Sequence, residues 1–233
     1  MVMAGLRAIG EIDIKKIIAL STLSQLGLIF LTLGIGLPAL TFFHLVAHAY
    51  FKAIIFICAG GVIHRINDYQ DVRMLGLGRQ LLPVSSGVFL LGSLRLCGIP
   101  FITGFYSKDL ILELIIIRET NIFIFLVAML ATFLTVSYSL RLLNLTFFRG
   151  VSIRSRIARH EGGYLIVGIR ILIIPAAIGG LGISWLIPRY RHLIFLPVWL
   201  KRFILIIILG AILSIKKSNK SKFSEAQRFF SII

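Results

Sequence analysis

The sequence predicts an all-α, polytopic transmembrane helical bundle, and three observations carry that reading. Hydrophobic residues make up 58% of the 233 residues, with a mean hydropathy of +0.98, which is the composition of a membrane protein. The apolar runs reach or exceed the roughly 20 residues needed to cross a hydrocarbon core of about 30 Å, and only short polar or basic patches separate them. In that solvent each backbone amide and carbonyl must be satisfied within its own segment, so helices are expected rather than open sheets.

Residues 1–10 lack the basic start, apolar middle and small-residue site of a cleavable signal and read like the tail of an earlier helix. The cluster Glu11, Asp13, Lys15 and Lys16 opens a first span at 17–36, and a second follows at 38–64. A polar stretch leads to the region 83–118, which is too long for one regular helix and is interrupted by Gly98, Pro100 and Gly104. One span broken near 98–104 is predicted. Proline removes a backbone donor and clashes with the preceding turn, so the break frees polar backbone groups inside the membrane. Such breaks occur where ions pass. Further spans at 121–148, 163–187 and 192–215, the last flanked or kinked by Pro188 and Pro197, bring the total to about six. Residues 1–215 thus form a single transmembrane domain, and 216–233 a polar basic tail.

The net charge of +16 is distributed by this topology. Of the basic residues outside the spans, only Arg118, Arg189 and Arg191 fall on one side; the remainder, every lysine included, fall on the other. That asymmetry is the positive-inside pattern of an oriented membrane protein. Nucleic-acid binding would need a basic face on a soluble domain, which the sequence does not offer. Cys58 and Cys97 both lie in apolar runs, where thiols act as small apolar residues rather than disulfide or metal partners.

His44, His48 and Lys52 recur at four-residue spacing through the second span. On a helix this places them on one stripe, about 6 Å apart along the axis. A histidine pair alone fits a packed core, a metal or a haem as readily as proton transfer. Lysine alters the balance, because a charged ammonium is no metal ligand and costs about 2.5 to 3.5 kcal/mol to place at mid-membrane. Imidazoles titrate near neutrality, and steps of about 6 Å suit an intervening water. The stripe reads as a proton wire. A second constellation runs from Thr103 to Asp109, just past the break. Lys108 there either snorkels or pairs with Asp109 at a half-helix end, or serves as the charge beside an unwound backbone where ions enter and leave. Glu113 lies one turn beyond Asp109, while Arg141, Asn144, Lys201 and Arg202 read as helix-end residues.

Four runs carry a family resemblance: 13–27 (DIKKIIALSTLSQLG), 43–55 (FHLVAHAYFKAII), 61–71 (GVIHRINDYQD) and 98–110 (GIPFITGFYSKDL). They resemble the mitochondrial NADH dehydrogenase subunit 5 family, the distal antiporter-like subunits of respiratory complex I, and the similarity extends nearly from end to end. The resemblance implies an antiporter-like bundle in the mitochondrial inner membrane, with basic loops and tail toward the matrix. It implies a translocase component that moves protons along buried charges, with His44, His48 and Lys52 on the central axis and Lys108, beside Asp109, near the exit half-channel. NADH, FMN, iron-sulfur clusters and quinone would reside in other subunits, leaving no cofactor or metal on this chain. Partners would be the other membrane-arm subunits, above all the neighbouring antiporter-like subunit 4, and the lipid bilayer.

The resemblance begins midway through the family's set of spans, so a partial sequence is expected. Arg7 and Arg95 stand where the family has small residues, and Arg65, Arg79 and Arg170 also occupy positions that would suit serine. Isoleucine far outnumbers the four methionines. Invertebrate mitochondria read AGA and AGG as serine and ATA as methionine, so this pattern predicts codons translated in another code. Two other functional readings stay open on sequence: the large subunit of a multisubunit sodium/proton antiporter, and a non-functional fragment or scaffold.

Overall fold

The computed structural model describes residues 1–65, 68–73, 82–98, 103–117, 121–148, 163–164, 166–173 and 210. The described residues are helical throughout, apart from turns and one isolated bridge. Most of the spans expected at 163–187 and 192–215, and all of the tail, lie outside them.

A short helix α1, Val2–Gly10, is followed by α2, Ile14–Gly34. The second helix begins earlier than the apolar run suggests, because Asp13 takes the N-cap position and Lys16 in the first turn pairs with it at 2.9 Å. Gly36 ends α2 in the left-handed conformation (φ 81°), its N–H bonding Leu33 O and that of Leu37 bonding Thr32 O. These bonds satisfy carbonyls that the last turn would leave open. Pro38 then starts α3, Pro38–Arg65, where a missing N–H costs nothing. Glycine and proline two residues apart thus make the tight reversal between two long helices.

Leu82 leads into α4, Pro83–Cys97, again with proline at the first turn. Gly98 stops that helix with φ 76°, a conformation that glycine adopts without steric cost. The chain resumes as α5, Thr103–Ile117. Two helices of 15 residues each therefore occupy the region where a broken span is predicted. Asn121 caps α6, Ile122–Leu143, its side-chain oxygen accepting from Phe123 N at 3.2 Å. A π-helical turn, Asn144–Phe148, extends it.

By length and composition, Ile14–Gly34, Pro38–Arg65 and Ile122–Thr146 can each cross a membrane. Large apolar side chains face outward from them, among them Phe30, Phe42 and Leu126, the surface that lipid requires. Helix α3 packs on α2, α4 and α5, while α6 packs on α1, α2, α4 and α5. One end of the bundle is tied together by backbone contacts. Ile14 N bonds Gln70 O and Val72 N bonds Ile12 O, both at 3.0 Å. Arg141 donates to the carbonyls of Ile9 and Glu11. The α1–α2 junction, the 68–73 loop and the end of α6 therefore share one end of the molecule.

Candidate functional site

Two apolar clusters divide the bundle by height. Toward the tied end, Ile14, Ile17 and Ile18 of α2 pack with Ile54, Ile55 and Cys58 of α3, Phe89 of α4 and Leu142 of α6. Toward the other end, Leu28 of α2 packs with Leu40 and Phe43 of α3, Ile111, Leu112 and Ile115 of α5 and Met129 of α6. Between them the same helices change character. Ser21, Ser24 and Gln25 on α2, His44 and Lys52 on α3, Arg95 on α4, Ser107 and Lys108 on α5, and Thr132, Thr135 and Ser139 on α6 are all buried. A polar layer crosses the middle of an apolar bundle.

Both lysines in that layer have hydrogen-bond acceptors. Lys52 Nζ donates to Ser21 Oγ and, at 3.2 Å, to Ile18 O on the neighbouring helix. Lys108 Nζ donates to Thr135 Oγ1 at 2.6 Å and to Leu96 O at 3.5 Å. Both acceptors are available for physical reasons. Thr135 directs its own hydroxyl at Thr132 O, leaving lone pairs for the ammonium. Leu96 lies in the final turn of α4, where carbonyls have no partner further along the helix. The stop at Gly98 thus creates part of the seat for Lys108.

His44 joins α3 to two other helices. Its Nδ1 lies 3.1 Å from Ser107 Oγ on α5, and its Nε2 lies 3.4 Å from Gln25 Oε1 on α2. His48 stacks on it with ring centroids 6.3 Å apart, and among the described residues its Nε2 has no hydrogen-bond partner. Beside both rings is a cavity of about 30 Å³, lined by Gln25, His44, Ala47, His48, Phe51, Arg95, Leu96, Ser107 and Lys108. That volume holds on the order of one or two waters. Among the described residues no three His, Cys, Asp or Glu side chains converge as metal ligands do.

The structure therefore brings His44, His48 and Lys108 around one cavity, with Lys52 one helical turn past His48. Asp109 is half-buried and does not line the cavity. Arg95 does, with its guanidinium carbon 3.0 Å from the centroid of the Phe51 ring.

Residues 1–135 match the family model described as NADH:quinone oxidoreductase/Mrp antiporter, TM. The chain belongs to this family. Residues 138–232 match a further model, NADH dehydrogenase subunit 5 C-terminus. Within the family, the chain is 46% identical to NADH-ubiquinone oxidoreductase chain 5 of Locusta migratoria, over 91% of this chain and 37% of that protein. Against the chain 5 proteins of Anopheles quadrimaculatus and Sus scrofa the identities are 44% and 39%, covering 96% and 91% of this chain and 39% and 36% of theirs. The chain thus spans a little over a third of the length of these relatives. In fold it is similar to a chain of the Mrp complex from Dietzia sp. DQ12-45-1b, with a TM-score of 0.54 at 18% identity, covering 99% of this chain and 31% of that one.

For this member of the NADH:quinone oxidoreductase/Mrp antiporter family, reading the sequence singled out the charged residues but not their neutral partners. Gln25, Ser21, Ser24, Thr135 and Tyr138 carry no charge, and serine and threonine are ordinary in membrane helices, where they bond the preceding turn. A signal was present in their spacing: Thr132, Thr135 and Ser139 fall on one face of α6, as do Ser21, Ser24 and Gln25 on α2.

Proposed function

We propose that this chain is part of the proton-translocating, antiporter-like membrane subunit of an NADH:ubiquinone oxidoreductase. In this reading it couples NADH oxidation by quinone, carried out on other subunits, to proton movement. The observation that carries it is the mid-height layer in which His44, His48 and Lys108 surround a water-sized cavity, with Lys52 on the same helical stripe. Intramembrane ionisable residues are costly and mark ion or proton paths. The chain itself holds no redox cofactor in this reading. It sits in the mitochondrial inner membrane with the tied, basic end toward the matrix, and neighbouring membrane-arm subunits, antiporter-like subunit 4 foremost, cover its outer faces.

Proton movement here proceeds by exchange among fixed groups. A neutral imidazole takes a proton on one ring nitrogen and releases one from a ring nitrogen afterwards. Water in the cavity spans the 6.3 Å between the His44 and His48 rings. Lys52 and Lys108 close the two ends of the row, each held by hydroxyl and carbonyl acceptors that also accept from a protonated amine. Asp109 stands beside Lys108 on α5, at the edge of the row.

Proton pumping by the assembled complex in sealed vesicles, recorded with NADH oxidation, tests this. The full-length subunit carrying Lys52→Ala or Lys108→Ala is expected to lose coupled turnover and pumping together. Wild-type pumping in both variants would return the lysines to a structural role and support the scaffold reading. Pumping that requires sodium would favour the sodium/proton antiporter reading, with which the fold similarity to the Mrp complex is compatible.

A further inference from the structure

His44 is 6% exposed and bonded on both ring nitrogens to groups that carry no charge, Ser107 on one side and Gln25 on the other. In a neutral imidazole one nitrogen donates and the other accepts, so the direction of its proton transfer depends on which tautomer is held. Serine cannot decide this, because a hydroxyl donates or accepts by rotating. An amide can, because its oxygen only accepts and its nitrogen only donates. The orientation of Gln25 therefore sets the protonation pattern of His44.

Tyr138 on α6 is 2% exposed, and its hydroxyl lies 3.3 Å from Ser24 Oγ with Gln25 and Ser21 alongside. The amide oxygen of Gln25 faces His44 Nε2 at 3.4 Å. Rotating the amide by half a turn would set two donors on Nε2 and force the opposite tautomer.

We propose that Gln25 is a positioning residue that keeps His44 protonated on Nε2 and presents the Nδ1 lone pair to Ser107 and the cavity shared with His48 and Lys108. This inference rests on the proton-transfer reading of the site. A proton arriving through Ser107 adds to Nδ1 and gives the imidazolium, with both N–H bonds kept, Nε2–H still donating to Gln25. The proton later leaves from Nδ1 into the same cavity, and the original tautomer returns. His44 neither gains nor loses a bond overall. The charged groups facing it are Lys108 from α5 and Arg95 from α4, with His48 and Lys52 further along its own helix. Among the described residues, no carboxylate lines the cavity to take over the role of Gln25.

The test uses the full-length subunit in the assembled complex in sealed vesicles, with protons pumped per NADH oxidised measured across pH. Gln25→Leu removes the acceptor, and pumping is expected to fall by roughly tenfold or more, the worth of a hydrogen bond to a group that becomes charged. Gln25→Glu keeps an acceptor and adds a charge that favours the imidazolium, so pumping persists with its pH profile displaced to higher pH. Wild-type pumping and profile in Gln25→Leu would overturn the proposal. If Gln25→Leu fails to assemble, an unshifted profile in Gln25→Glu overturns it instead. His44→Ala separates the two levels: normal pumping there would remove the proton-transfer reading, whereas impaired pumping there beside a normal Gln25→Leu would remove only the role of Gln25.

Discussion

Arg95 is buried to 4% exposure, packed on Phe51, and placed on the cavity that His44, His48 and Lys108 share. A fixed guanidinium there puts a positive charge beside two imidazoles that accept protons under the proposed function, and it fills space that water would use. Insertion of arginine near mid-membrane also costs about 2.5 to 3.5 kcal/mol on translocon scales. Serine at this position would remove the charge, enlarge the cavity and match the hydroxyl-rich layer formed by Ser21, Ser24, Thr135 and Ser139. We therefore expect mass spectrometry of the isolated subunit to find serine at position 95, and sequencing of the gene to find AGA or AGG codons at 7, 65, 79, 95 and 170. A CGN codon at position 95, or a peptide carrying arginine there, would show that the site works with the guanidinium in place.

Helices α3 and α4 approach each other at Gly92, where an added Cβ would stand 2.8 Å from Ile55 Cγ1. That distance is well inside contact, so Gly92→Ala is expected to destabilise the pair by about 1 to 3 kcal/mol through overpacking. A compensating Ile55→Val, which removes a methyl from the same contact, should recover part of the loss. Thermal denaturation of the assembled complex for both single variants and the double variant measures the coupling. Additive losses would show that α3 and α4 are not held together at this point. The element scale is also where the sequence was most legible. Gly36 followed by Pro38, Pro83 at the start of α4 and the stop at Gly98 are local devices, readable from glycine and proline alone. The charged stripe on α3 was equally visible, since three charged or titratable residues at four-residue spacing in an apolar run have few explanations. The long-range pairings were not. Nothing local tells that Lys108 will meet Thr135 or that Gln25 will meet His44, because those contacts depend on how helices far apart in sequence cross.

Across the whole bundle, two apolar clusters flank the polar layer, and under the proposed function they are its seals. Protons can be moved against a gradient only if water does not connect the layer to both sides at once, so the clusters matter as much as the charged groups. Leu112 is 1% exposed in the cluster of α5 with α2, α3 and α6, away from the tied end. Replacing it by asparagine places an amide where the apolar neighbours offer no acceptor, and such a group draws in water to satisfy itself. Leu112→Asn is expected to raise the passive proton conductance of vesicles containing the assembled complex, measured without NADH, and to lower protons pumped per NADH oxidised more than NADH oxidation itself. Leu112→Met, which keeps volume and apolarity, should leave the conductance at its original level and controls for packing. Equal conductance in both variants would show that the barrier lies elsewhere along the path, and that this cluster serves only to hold α5 against its neighbours.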